Sequence, residues 1–430
     1  MAVEITRTPS SNGNQKIWTW SGWIKKATVG MGSGDYQMLF TANIGSGSRY
    51  TDVFFREDYF EVFGGVYSTS TTTVDINVST NRKFRDPSAF YHLVVAVDTT
   101  QATAANRVKI YVNGVQETSL KNYQGSSVVY PAQNNNTFMN VTTAQNRIGA
   151  SGGSYPFKGL MTHVHFVDGI AYTPSTFGES DSTSGIWKPK TNPSVTYGTN
   201  GFFLKFENSG NMDLDSGDNN LTFSTSGTLT QNVDTPSNNF ATWNALDNYY
   251  ASATLTNGNT KVATNSSAYS ATLTSLGASS GKYYAEFKLI DKGSGYCQIG
   301  IKGKQPTATS DGVGAGSDGL AYRKDGYKVL NGSSSTYGTS YDNNDIIGIA
   351  MDLDNNRLFF SKNGTFQDSG DPTSSTGAIT IPTSSSGFYF MGISDEHNNG
   401  TNTWEANFGN GYFGTTAVAS AGTAPSEGGI

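Results

Sequence analysis

Three clusters of side chains in this sequence are of the types that do chemistry. Glu57, Asp58 and Glu61 stand together in REDYFEVFG, and paired carboxylates are what glycoside hydrolysis uses as acid and nucleophile. A retaining mechanism needs the two carboxyl groups about 5–5.5 Å apart, flanking the sugar. Read as one strand, the run puts Glu57, Tyr59 and Glu61 on one face and turns Asp58 away. A tyrosine then separates the two acids, so a solvated strand face is the expected role. His163 and His165 in THVHF lie two apart on a strand and point the same way, with His92 available as a third nitrogen. That spacing suits zinc. No cysteine or orienting carboxylate stands beside them, and a half-buried structural role is expected. Asp213, Asp215 and Asp218 invite calcium, but their spacing is not that of an EF-hand loop and the bidentate Glu is missing. An Asx turn between strands is expected there. Calcium at that turn is the single cofactor candidate; no cofactor is otherwise expected.

The remaining motifs favour binding over catalysis. Cys297 is the sole cysteine, so no intrachain disulfide can form. In YCQIGI it shares a strand face with Ile299 and Ile301, which predicts a buried, inert thiol. No GxSxG, Walker-type loop or HExxH occurs, and the glycines of SDGVGAGSDG are not framed by strand and helix. That stretch reads as a long loop. Sandwich proteins carry function on loops at the ends of rigid sheets. The candidate binding residues are therefore Asp311, Asp318, Tyr322, Tyr327, Tyr337 and Tyr341, with His397 and Trp404 near the last strand. Tyr offers an apolar ring with a hydrogen-bonding tip, useful against sugar faces or protein. The competing role for each aromatic is to cap the core.

The elements that must position these residues are short alternating strands. One hairpin is written twice. HLVVAVD is followed by NRVKIYVNG, and IIGIAMDLD by NRLFFSKNG; each copy ends on an Asn-Gly corner that tolerates positive φ. Two such hairpins in 430 residues imply two sandwiches, an all-β chain with two antiparallel concanavalin-like jelly rolls in tandem. In IWTWSGWIKK, alternation sets Trp18, Trp20 and Ile24 on one face and Ile17, Thr19 and Trp23 on the other. Pro174, Pro189 and Pro193 break any ladder. The expected domains are residues 1–185, a linker with one or two strands over 186–240, a second sandwich over 241–409, and a flexible arm over 410–430. The chain is 14% charged with a net charge of -6, and lacks the Lys/Arg cluster a nucleic-acid face needs. Neither a secretory layout at the N-terminus nor an apolar run of about 18 residues is present, so no membrane insertion is expected.

GKYYAEFKL, YCQIGI, DNNDIIGIAMDLDNNRLFFSKNG and TWEANFG follow one another as in SPRY (B30.2-like) domains, which the second half resembles. The first half resembles a laminin-G-like, concanavalin-type jelly roll through WTWSGWIKK, FRDPSAFYHLVVAVDTT, RVKIYVNGVQ and FKGLMTHVHFVDG. As a whole, with DGIAYTPSTFGESDSTSGIWKPK and YGTNGFFLKFEN, the chain is similar to large concanavalin-like virion proteins of marine bacteriophages. Concanavalin-fold glucanases place an Asp where this chain has Tyr59. The resemblance implies a non-enzymatic tail fibre or surface appendage, made in the host cytoplasm and located on the virion. Its partners would be other virion proteins and host surface polysaccharide, with a homo-oligomer formed through sandwich faces. The alternatives are a capsid decoration or connector without receptor role, and a glycan-degrading depolymerase.

Overall fold

A computed structural model of the protein describes residues 2–44, 49–67, 72–123, 125, 127–232, 234–247, 253–265, 270–306, 311–395, 400–414 and 416–418. The all-β expectation holds. Among the described residues the helical pieces are single 3-10 turns at Ala104–Asn106 and Pro174–Thr176. The chain forms two compact units, Met1–Ser237 and Asn238–Ile430.

The first unit packs an eight-stranded antiparallel sheet on a six-stranded one. The larger sheet is built around Thr72–Lys83, Tyr59–Tyr67, Arg49–Arg56 and Tyr36–Ile44, and the smaller around Gly159–Asp168, Ile17–Lys26 and Tyr91–Asp98. Alternation sends Trp18, Trp20 and Ile24 inward, where they meet Phe40, Phe55 and Phe60 of the facing sheet. The other face of the smaller sheet is buried too: Val94, Val167 and Phe203 lie under Phe177 and Tyr197. Strand Ile17–Lys26 is consequently buried from Trp18 to its end. Its two terminal lysines are neutralised internally, Lys25 by Asp234 at 2.7 Å and Lys26 by Asp58 at 2.8 Å.

The expected linker over 186–240 is instead part of the first sandwich up to Ser237. Trp187–Pro189 pairs with Gly178–Ser180, Phe202–Leu204 adds an edge strand to the smaller sheet, and Ser224–Ser226 adds one to the larger. Pro174 opens a 3-10 turn, but Pro189 sits inside a paired strand opposite Gly178, so it does not break the ladder as expected. Tyr197, Phe202, Phe203, Leu204 and Phe223 are too apolar to cross solvent as a tether, and all are buried.

The second unit repeats the plan. An eight-stranded sheet carries Thr403–Asn407, Lys282–Asp291, Ile346–Asp352 and Arg357–Lys362 as neighbours, and a six-stranded sheet carries Phe390–Asp395, Cys297–Lys302 and Gly319–Arg323. Trp243, Phe287, Ile299, Ile347 and Phe360 fill the space between them. Cys297 is buried, and burial pushes its thiol up to about 12, as an inert role requires. The expected arm over 410–430 starts as folded chain: Tyr412–Phe413 pairs with Thr416–Ala417 and Phe413 is buried. Residues 415 and 419–430 lie outside the described residues.

Both Asn-Gly corners adopt the left-handed backbone their residues allow, with φ of 48° and 84° at Asn113 and Gly114 and 49° and 81° at Asn363 and Gly364. Each Asn side chain also accepts a 2.8 Å bond from the first amide of the hairpin's apolar strand, His92 in one copy and Ile346 in the other.

The buried Lys26–Asp58 pair makes a stability prediction. Asp58→Ala strands an ammonium in the interior and should destabilise the first unit by about 3–5 kcal/mol, whereas Lys26→Met with Asp58→Leu should recover most of that loss. Urea unfolding followed by Trp fluorescence reads both. A single variant as stable as the wild type contradicts the account.

Candidate binding site

Most of the loop residues expected to bind are core residues. Tyr322, Tyr337, Tyr341 and Trp404 are each at most 6% exposed, and they pack edge-on or tilted, with centroids 5.5 Å apart for Tyr322–Tyr337 and 5.9 Å for Tyr341–Trp404. The Tyr341 hydroxyl is consumed inside, bonded at 3.1 Å to the Cys297 carbonyl. These four are removed from the candidate site: the sandwich needs large side chains at its ends, and Tyr supplies bulk with a hydroxyl that can satisfy a buried carbonyl. Asp318 is likewise internal, 3.2 Å from Lys302 and accepting from the Ser385 hydroxyl. Tyr327 stays at the surface, where Arg323 lies 5.4 Å from its ring centre. Asp311 is half-buried in its loop, and His397 lies outside the described residues.

The acidic run of the first unit is a corner rather than one strand. Arg49–Arg56 ends and Tyr59–Tyr67 begins around Glu57 and Asp58, both at positive φ. Its carboxylates serve three different purposes. Glu57 accepts from the Tyr123 hydroxyl, Asp58 binds Lys26 and Arg85, and Glu61 lies 3.1 Å from Arg56. Reading the run as a strand missed the turn because Asp58, a turn-favouring residue, has no Gly, Asn or Pro beside it to mark the corner. Nor was there any sign of Asp52, which is buried two register positions away on the neighbouring strand and accepts from the Thr41 hydroxyl. Burial pushes Asp52 up to about 7, aided by Glu61, and pushes Glu61 up to about 7 against the pull of Arg56.

The histidines are also dispersed in role. A β-bulge falls between Thr162 and His165, with His163 at φ 49°, so the alternation on which chelation depends is broken. His165 stacks on Phe203 at 3.9 Å and bonds the Tyr197 hydroxyl at 2.9 Å. His92 accepts from Trp187 Nε1 at 2.9 Å through Nδ1 while Nε2 meets the Ser21 hydroxyl at 2.9 Å. Burial lowers all three, His92 to about 3 and His163 to about 4, which keeps them neutral. Among the described residues no three His, Cys, Asp or Glu side chains converge as a metal site. Asp215 forms the expected Asx turn, its Oδ1 accepting from Gly217 and Phe203 and its Oδ2 from Leu221, each at 2.9 Å.

One surface feature was not among the expected residues. An open groove of about 610 Å³ crosses the eight-stranded sheet of the second unit. Phe359 and Met351 form its buried floor; Tyr283 and Tyr284, 40% and 38% exposed, form one side. The other side is the Gly370–Thr373 loop, braced by Asp371 Oδ1 accepting from the Thr373 amide and hydroxyl. Gly348 makes room: a Cβ there would come within 2.3 Å of Ser361 Oγ and 2.6 Å of Tyr284 Oη. Tyr284 then donates to Glu286 at 2.9 Å, and burial together with Glu286 pushes its hydroxyl up to about 12. The groove thus offers apolar rings, a neutral phenol donor and a charged rim in which Lys282 and Asp352 stand 3.4 Å apart. The sequence signal for it was YY in GKYYAEFKL, two consecutive tyrosines of which one must face outward.

The SPRY domain model matches residues 282–378, the span that contains every residue lining the groove. The second unit therefore carries a SPRY domain, a β-sandwich binding module. Among solved structures the chain is similar to the SPRY domain of human HERC1, at 19% identity over 36% of this chain and 91% of that one, TM-score 0.29. It is also similar to stonustoxin, at 16% identity over 39% and 27% of the two chains, TM-score 0.30, and to the TRIM65 PSpry domain, at 12% over 39% and 92%, TM-score 0.29.

The raised pair Asp52 and Glu61 sets a pH prediction. Each carboxyl holds its proton more tightly folded than unfolded, so their contribution is full below about pH 4 and is lost as pH rises through about 7. The variant Asp52→Asn with Glu61→Gln mimics the protonated pair. Its urea midpoint should match the wild type near pH 4 and exceed it near pH 8; the same difference at both pH values rules the assignment out.

Proposed function

We propose that the chain is a non-enzymatic binding protein of a bacteriophage virion, a tail fibre or other surface appendage that contacts host surface glycans or neighbouring virion subunits. The observation that carries the binding role is the groove walled by Tyr283 and Tyr284 inside the matched SPRY span. Exposed tyrosines over a rigid sheet present flat apolar area at low entropic cost, and their hydroxyls can meet sugar or peptide polar groups. The virion setting rests on the likeness of the whole chain to concanavalin-like phage proteins. A laminin-G-like first sandwich fits that setting.

The acids that a depolymerase would need are engaged elsewhere, Glu57 with Tyr123, Asp58 with Lys26, and Glu61 with Arg56. Binding without turnover is therefore the favoured role.

Tyr283→Ala with Tyr284→Ala should lower retention on host cells or on virion partners by about tenfold or more, because stacked aromatic anchors dominate such contacts. Circular dichroism and the unfolding midpoint of the second unit serve as fold controls. Unchanged retention by a folded double variant removes the groove from the function. Gold labelling of the protein on purified particles tests the setting, and label confined to host debris counts against a virion component.

A further inference from the structure

Many of the lysines and arginines of the first unit are paired with carboxylates. Lys25, Lys26, Arg56, Arg82, Arg85 and Arg147 all have acidic partners. Lys83 and Lys121 are held differently. Both lie against the ring of Tyr59, with Nζ 4.6 Å and 3.1 Å from its centre. Among the described residues neither ammonium has a carboxylate at ion-pair distance. Sheet register brings them together: Tyr59 is opposite Lys83, and Leu120–Lys121 is the edge strand beside Thr72–Lys83. Tyr123 follows two residues after Lys121, its ring centre 6.3 Å from that of Tyr59, with Arg56 4.4 Å from it on the sheet side. Of the nearest acids, Glu61 is buried against Arg56, while Glu57 sits at the partly exposed corner, accepts from the Tyr123 hydroxyl and feels the charge of Lys83. Burial would push the Tyr59 phenol up, yet the two ammonium groups hold it below its ordinary value. Two like charges pinned to one ring repel each other, and the repulsion is relieved by an anion that both can reach.

From this cluster we infer an anion-binding subsite at the Tyr59, Lys83, Lys121 and Tyr123 corner, whose ligand is an acidic polysaccharide bearing carboxylate or sulfate groups. A sugar ring suits the place better than a peptide acid, since the anionic group can sit between the ammonium groups while the C–H face of the ring rests on the part of the tyrosine rings that reaches solvent. Asn81, Ser119 and Asn122 beside the corner add neutral hydrogen-bonding groups of the kind that meet hydroxyls. Because the whole chain carries a net charge of -6, attraction to a polyanion must come from such a local cluster. This inference deepens the host-glycan reading and rests on it.

The test is affinity electrophoresis of the full chain in gels containing polygalacturonate, dextran sulfate, neutral dextran or poly-glutamate. Retardation by polygalacturonate or dextran sulfate, absent in neutral dextran, is expected. Whichever of the two retards more identifies carboxylate or sulfate as the group read. Lys83→Ala with Lys121→Ala should weaken it by about tenfold or more, Lys83→Arg with Lys121→Arg should keep it, and 0.5 M salt, at about a 4 Å screening length, should abolish it. No retardation by either acidic polysaccharide, equal retardation by poly-glutamate, or an unaffected Ala variant overturns the inference. Host-cell retention that still depends on Tyr283 and Tyr284 would then show that the subsite fails while the broader function stands.

Discussion

Burying a strand on both faces suits apolar side chains and penalises charged ones, and in the first unit Ile17–Lys26 meets both conditions at once. Trp18 and Trp20 are inside one layer of core, Trp23 is buried on the other face, and its last two residues are lysines with almost no exposure. An unpaired buried ammonium is untenable, so two acids have to be brought to the end of this strand. Asp58 comes from the hairpin corner of the facing sheet and Asp234 from a segment far along the chain. The first pairing fixes where the corner Glu57–Asp58 must sit, and with it Tyr59 at the head of the next strand. The second explains why the chain continues past Pro193 as part of the same sandwich: it cannot leave before delivering Asp234. The domain boundary follows from a charge requirement as well as from packing.

That dependence also marks the limit of what the sequence reveals. Period-two alternation located the strands, the inward Trp18 and Trp20, the buried Cys297 and both Asn-Gly corners, because each of these is decided by residues a few positions apart. The extent of the first sandwich was not legible, since Lys25–Asp234 and the Phe202–Leu204 edge strand are long-range. The histidine pair failed for a related reason. A bulge is one extra residue whose existence is set by the partner strand, and His163 at positive φ carries no sequence mark that would announce it. Tyr322, Tyr337, Tyr341 and Trp404 read equally well as loop aromatics and as core caps, and only the packed sandwich separates the two.

The binding surfaces arise where the fold's own demands are already met. Asn113 and Asn363 both close a hairpin by bonding the opening amide of its strand, so the doubled sequence is spent on topology. In the second unit Gly348 goes further, since removing a side chain from the sheet is what lets Tyr284 lie flat and leaves a floor of Phe359 beneath an open groove. A glycine inside a strand normally weakens it. Here the neighbouring strands pair on both sides of it, Glu286 on one and Ser361 on the other, so the ladder tolerates the loss.

The tyrosines that reach the surface differ from the buried ones in what holds their hydroxyls and faces. Tyr341 and Tyr322 give their hydroxyls to main-chain carbonyls and are closed on all sides. Tyr284 is tied to a carboxylate of its own strand, Tyr327 lies beside Arg323, and Tyr59 lies against two lysines. Each of these rings is therefore held by a charged neighbour, at a cation–π or hydrogen-bond strength that a ligand group can match and replace. A ring fixed by core packing has nothing to exchange. Exchangeable restraint of this kind is what distinguishes a surface prepared for a ligand from a surface that merely ends the core, and it concentrates at the groove and at the Tyr59 corner.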